Sequence, residues 1–422
     1  MKFRKYLPIL VGIINLITFQ LSAQSLEIGR ASIHPSVATL EVGQQQKFKI
    51  IRMATSLKSA KMAEKVEWSV NNVPGGNSEI GTIDKNGVYS APAVVPSPHE
   101  INIIGKIDGV VNNILHATVL MDADKPFYEL VYEFADEIGK SEYFTNPHCI
   151  CLDKDGNLLI ADYDGNRCLR FTPDGEYLGD LGKGVGQEDG YVYKPRVVFL
   201  DNDDNIFVSD QKDYGNRIQV FSAEGEFLRS FAPKGTGPGE ILRAHGIGFD
   251  SKNRLYIVDV DNMRVNIYKH DGEFIKSFGK DGPANDEFNA PHGLVVDPND
   301  DVFISSYYGS IKKFDSEGNY LETITETDPP DGSVYIHTIT GDKWGNVYAM
   351  VRGMKGYGGK VEISKGKVVS MEKFNNNGDK LYGMSLAVKA HSENWVFSDD
   401  KGWLYFIYRS KGKLGFEIFK PI

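Results

Sequence analysis

Hydrophobic and polar positions alternate along this chain in two regimes. Between residues 26 and 122 the apolar runs are short: Ala38–Val42, Lys47–Ile51, Val66–Val70, Ile101–Ile107 and Leu115–Leu120. Turn clusters such as Pro74-Gly75-Gly76-Asn77 and Asp84-Lys85-Asn86-Gly87 separate them. Period-two runs bounded by Gly, Pro, Asn and Asp read as strands. Six or seven of them in about 100 residues predict a β-sandwich over residues 24–122, with Trp68 as its large buried anchor. The polar, Pro-containing stretch Ala123–Phe127 reads as a linker to a second, independently folding unit.

From residue 128 a longer period takes over. Residues 146–182 (NPHCICLDKDGNLLIADYDGNRCLRFTPDGEYLGDLG) recur in altered form at 194–231, 243–279 and 290–324, with weaker copies near Ile336 and Gly383. Aligned five residues before the Asp that ends the first strand, the copies place His148, Arg196, His245, His292, His337 and Met384 in register; Lys389 replaces that Asp in the sixth. Successive spacings are 48, 49, 47, 45 and 47 residues. A unit of this length with four short strands is a propeller blade. The chain is therefore expected to be all-β, with a six-bladed β-propeller over residues 128–422. Tyr128–Phe134 has the pattern of an outermost strand with no blade of its own, and is expected to close the ring by joining the last blade. Gly415–Phe419 competes for that place.

Two resemblances follow from these motifs. The stretch 66–92, and its GTIDKNGVYSAP element above all, resembles bacterial Ig-like domains, which implies a spacer or adhesive module without catalytic residues. The 47-residue copies resemble NHL repeats, through the Asp-X-X-Gly-Asn hairpin, the Asp turn leading to Asn-X-Arg, and the Asp-Gly-Glu turn before the last strand. Ser306 departs from that pattern, and the fifth and sixth copies lose most of it. NHL propellers include RNA- and protein-binding modules and a zinc lyase acting on peptidyl-hydroxyglycine, so the resemblance implies several functions.

Residues 1–23 read as a secretory signal: Lys2, Arg4 and Lys5, then apolar Leu7–Phe19, then Leu21-Ser22-Ala23. The run falls short of the roughly 20 apolar residues a membrane anchor needs. The expectation is a secreted, periplasmic or cell-surface protein with no stable membrane insertion after cleavage. Cys149, Cys151 and Cys168 make no disulfide framework and are expected to be free and buried. Gly (44) and Tyr plus Phe (21 and 23) are abundant, as strands and tight turns require. The chain carries net charge −10, which argues against nucleic acid as a partner. Lys355, Lys360, Lys365 and Lys367 form a diffuse basic region.

In an up-and-down blade the long loops between blades share a face with the start of the first strand. That face carries His148, His245, His292 and His337, with Tyr163 and Tyr307 in the turns between second and third strands. Equivalent blade positions ring the channel, and three neutral imidazoles make a common zinc set. His148, His245 and His337, from alternate blades, give the most symmetric set. Arg196 could hold a substrate carboxylate, and Tyr163 or Tyr307 could supply a proton. The leading expectation is a binding module for an extracellular ligand, peptide, glycan or protein at this His-rich mouth. A zinc-dependent lyase or hydrolase, or a structural surface protein, are the alternatives. The repeated pairs Asp162/Arg167, Asp210/Arg217 and Asp259/Arg264 are expected to be structural. So are the runs at 153–157 and 201–205, which lack the spacing of a calcium loop.

Overall fold

The computed structural model describes residues 30–53, 61–62, 65–107, 113–122, 125–137, 141–212, 215–306, 309–326, 334–353, 368–385, 395–410 and 413–422. Residues 1–23, expected above to be a secretory signal, Tyr307, Lys389 and the four lysines of the basic region lie outside the described residues.

Residues 128–421 form six four-stranded antiparallel sheets around an axis. Within each, strands run a to d from the axis outward. Blade 1 comprises Pro147–Leu152, Leu158–Asp162, Arg167–Phe171 and Tyr177–Asp180. Blade 2 begins at Val197–Leu200, blade 3 at Ala244–Phe249, blade 4 at Pro291–Val296 and blade 5 at Val334–Gly341. Blade 6 contains Trp395–Ser398, Leu404–Ser410 and Lys413–Pro421, and its outermost strand is Tyr128–Glu137 from the other end of the ring. Tyr128 pairs with Pro421 and Glu137 with Lys413. This closing strand gives the last blade the fourth strand its own sequence lacks, and leaves Lys413–Pro421 as strand c. The fully buried side chains Phe171, Phe207, Phe221, Phe303, Phe314, Phe406 and Phe416 come from blades 1, 2, 4 and 6. Each contributes on the order of 2–3 kcal/mol of apolar burial.

The hairpin between strands a and b is the same in every blade. Asp153, Asp201, Asp250, Asp297, Asp342 and Asp399 each accept two backbone N–H bonds from their own turn. Three residues on, the chain enters the left-handed region at Gly156, Asp204, Asn253, Asp300, Gly345 and Gly402. Glycine, Asn and Asp tolerate that conformation best, which is why the motif is readable in sequence.

This hairpin corrects the sixth register. The Asp of blade 6 is Asp399, and its strand a is Trp395–Ser398. Met384 lies instead in strand d of blade 5 (Lys380–Ser385). The long segment between strands b and c of blade 5 displaced the alignment.

Residues 30–122 fold as three small sheets around one apolar core that includes Phe48, Val70, Tyr89, Ile101, Ile103 and Val119. Trp68 is half-buried at the edge of this core; Tyr89 and Phe48 are its largest enclosed side chains. The unit docks on blades 4 and 5. Arg30 makes a two-pronged ion pair with Asp301 at 2.5 and 2.6 Å, and Asp301 also meets Lys313 at 3.2 Å. Glu100 accepts from Lys373 at 2.6 Å and from the Tyr382 hydroxyl at 2.8 Å. Phe127 stacks on Tyr382 with ring centroids 4.1 Å apart. His116 packs edge-on against Trp344, and burial pushes its pKa down to about 4.

Candidate functional site

The loops joining strand d of one blade to strand a of the next gather at one mouth of the channel. Three share a parallel bridge, Val185 with Val192, Lys234 with Ile241 and Asp281 with Phe288. The repeated Asp and Arg residues hold them. Asp162 accepts from the backbone N–H of Thr145 and Asn146, Asp210 from Tyr193, and Asp259 from Leu242 and Arg243. The arginines take the loop carbonyls: Arg217 binds Glu188 and Tyr191, and Arg264 binds Thr236, Gly237 and Glu240. In blade 4, Ser306 donates to the Asn289 carbonyl and Lys312 to those of Ala284 and Glu287. The departure at Ser306 thus keeps the bracing with other donors. Burial raises the pKa of Asp162, Asp210 and Asp259, against the bonds that hold them ionised. These carboxylates are spent on the loops.

The four histidines converge behind this mouth. His148, His245 and His337 are 3%, 2% and 4% exposed, and His292 is half-buried. Ring centroids are 3.5 Å apart for His245 and His292, 4.6 Å for His292 and His337, 5.7 Å for His245 and His337, and 6.1 Å for His148 and His245. His245, His292 and His337 each present a ring nitrogen such that all three lie within 4.8 Å of one another. The trio therefore comes from three consecutive blades. His148, favoured on symmetry together with His245 and His337, stands beside it and is not in the group. Gly246 and Gly293 explain the tightness: a Cβ on Gly246 would sit 2.6 Å from Leu294 N, and one on Gly293 2.8 Å from Ile339 N. The inner strands of blades 3 to 5 approach more closely than side chains there would allow.

Burial, and then the neighbouring His292 and His337, push His245 well below the usual imidazole range. Burial likewise pushes His292 down to about 4, against its hydrogen bond to His337. Both rings are neutral near pH 7. His292 Nδ1 lies 2.5 Å from the His337 carbonyl and donates to it, so Nε2 keeps its lone pair. His245 Nδ1 is buried with no hydrogen-bond partner among the described residues.

Arg196 occupies the same register in blade 2. Its guanidinium lies 4.7 Å above the Tyr163 ring, and Tyr163 is 5.6 Å from His148. Arg196 Nε is buried without a hydrogen-bond partner among the described residues. Two contributors, Lys194 and Trp395, escaped the sequence reading. Gln211 donates to the Tyr163 hydroxyl at 3.1 Å, and Lys194 lies 5.0 Å over its ring. Trp395 reaches across from blade 6 to within 5.4 Å of His245. The signal for Trp395 was the Asp399-Asp400-Lys401-Gly402 hairpin four residues later.

Residues 144–171 match the NHL repeat, and residues 194–265 match a family described as 6-bladed beta-propeller. Protein brain tumor of Drosophila melanogaster is 26% identical over 162 residues, which are 37% of this chain and 15% of that protein. The chain thus spans a small part of that relative's length. Virginiamycin B lyase from Staphylococcus aureus aligns at 11% identity and TM-score 0.46, over 70% of this chain and all of its own. A gluconolactonase from Xanthomonas campestris aligns at 11% identity and TM-score 0.48, over 71% of this chain and 96% of its own. With its six closed sheets and its matched repeat, the portion from 128 to 421 is a six-bladed β-propeller carrying an NHL repeat.

Proposed function

We propose that the propeller is an extracytoplasmic binding module whose ligand occupies the His-rich mouth, with a zinc-class divalent ion held by His245, His292 and His337. The observation that carries this reading is the trio of imidazole nitrogens within 4.8 Å. The residues fit the ion. Neutral imidazoles are zinc ligands, and tetrahedral Zn–N bonds of 2.0–2.1 Å put ligand nitrogens about 3.3 Å apart, so the rings would draw inward by up to about 1.5 Å. The unpartnered His245 Nδ1 is accounted for by such an ion, and the His292 bond to a carbonyl is the usual outer support for a ligating ring. Three protein ligands leave a fourth position for a ligand atom. Arg196, with no ion pair among the described residues, favours an anionic group in that ligand. The N-terminal unit is an Ig-like spacer in this reading, and nucleic acid is not a partner.

A second reading, a metal-dependent lyase or hydrolase, is favoured by Tyr163. It is a potential proton donor placed between Arg196 and His148. The test common to both is metal content after reconstitution with zinc. About one equivalent is expected, lost in a His245→Ala/His292→Ala double variant. Less than 0.1 equivalent (a rough threshold for a stoichiometric site) refutes the metal centre.

A further inference from the structure

Away from the histidines the channel widens into a cavity of about 470 Å³ that opens between the a–b hairpins, on the opposite face. This is the size of a small-molecule site. Its walls carry Phe199, Phe249 and Phe397, all half-buried, and Trp395 closes its inner end. The Phe199 and Phe249 ring centroids are 6.0 Å apart. Asp250, Asp297, Asp300, Asp342 and Asp400 line it towards the hairpins, against one basic residue, Lys343, whose ammonium lies 5.0 Å over the Trp344 ring. A second depression of about 450 Å³ adjoins it, shares Phe199, Phe397 and Asp400, and adds Asp153, Asp155, Asp201, Asp204 and Asp399 against Lys154 and Lys401.

Much of this acidity belongs to the hairpins. Asp250 also has Arg254 at 2.6 Å, and Asp342 has Lys373 at 3.2 Å. Asp297 is another hairpin Asp: its Oδ1 takes two turn N–H bonds, its buried Oδ2 has no hydrogen-bond partner among the described residues, and burial pushes its pKa up against the pull of Lys313. One carboxylate stands outside these hairpin bonds. Asp400 is exposed at the rim, and no ion pair or hydrogen bond engages its carboxylate among the described residues. Ring faces and unneutralised carboxylates attract the same charge. An anion is disfavoured here, and a bare metal ion would make no use of the phenyl walls.

We propose that this cavity binds a small organic cation with an apolar body, such as an aryl-substituted quaternary ammonium or amine. The body lies between Phe199, Phe249 and Phe397, and the charge faces the aspartates. The site is separate from the histidine trio and does not depend on a metal there.

Isothermal titration of the full chain with benzyltrimethylammonium, with and without EDTA, tests this. Saturable binding with a Kd below about 1 mM is expected, unchanged by EDTA and weaker in high salt. Asp300→Asn/Asp400→Asn should weaken it at least fivefold, and Phe249→Leu at least threefold, an effect in the range of a lost cation–π contact. Phenylacetate, a similar body with the opposite charge, should not bind. Circular dichroism confirms that each variant is folded. Absence of saturable heat at millimolar probe, equal binding of phenylacetate, loss of binding in EDTA, or unaltered affinity in both variants would overturn the proposal.

Discussion

Replacing Glu100 by Gln removes one charge and almost no volume from the contact between the two units. Lys373 is where the effect falls. Its side chain is 3% exposed, and its ammonium meets Glu100 Oε1 at 2.6 Å and Asp342 Oδ2 at 3.2 Å, with the Tyr348 ring at 4.7 Å. Burial alone would lower the pKa of this lysine. Glu100 and Asp342 outweigh that, so it stays charged. Breaking a buried pair costs roughly 3–5 kcal/mol, because the remaining charge is stranded. Here Asp342 stays, so about 2–3 kcal/mol is expected. Urea unfolding followed by tryptophan fluorescence is well suited, since Trp68 reports on the N-terminal unit and Trp344, Trp395 and Trp403 on the propeller. The parent should unfold in one transition, because the docked units support each other. In the variant the Trp68 signal should separate and move to lower urea. Lys373→Met in the same background should recover part of the loss, since the stranded ammonium is then gone. A loss below about 0.5 kcal/mol, with a single unshifted transition, would refute the clamp.

Other outcomes follow from the same geometry. Glu417 is 6% exposed on the ring-closing sheet, and burial followed by Glu133 pushes its pKa up to about 7. The folded state holds this proton more tightly than the unfolded chain does. The stabilisation is therefore complete below about pH 4 and lost as pH rises through 7. Glu417→Gln should raise the stability at pH 8 by on the order of 2 kcal/mol, read as a higher Tm, and leave the Tm nearly unchanged at pH 4. Asp210→Asn removes the buried partner that Arg217, 4% exposed, meets at 2.8 Å and leaves it only the exposed Asp189 at 2.8 Å, so it should cost about 2 kcal/mol in denaturant titrations, below the roughly 3–5 kcal/mol of a fully stranded charge. The three thiols are buried and their pKa values are raised by that burial, so an aromatic disulfide reagent should label none of them until the chain unfolds. Zinc at about a hundredfold its Kd should stabilise the fold by about 2.7 kcal/mol, and not in the His245→Ala/His292→Ala variant.

Much of the propeller was legible because each blade repeats a turn whose backbone needs Asp at its start and Gly, Asn or Asp three residues later. Register then carried the histidines to one place, since equivalent positions in a closed ring face one axis. The choice among them was not legible. It depends on how closely Gly246 and Gly293 let neighbouring inner strands approach, and symmetry alone pointed to His148. Blade 6 was misplaced because the long segment after Gly353 breaks the period, although Asp399 and Gly402 carried the correct register. The docking of the N-terminal unit on blades 4 and 5 left no trace in pattern or period. Arg30, Glu100, Lys313 and Lys373 look like ordinary surface charges until the fold brings residues more than 250 positions apart together.

The closing strand also sets the order of events during biogenesis. Tyr128–Glu137 emerges long before its partner Lys413–Pro421. Until then blade 6 is missing, the edge of Tyr128–Glu137 is unpaired, and the inner strands of blades 1 and 5 lack the neighbour that joins them. Contacts this distant in sequence form slowly, and exposed strand edges meanwhile invite pairing with other chains. The half-made ring is thus the state most exposed to aggregation and proteolysis.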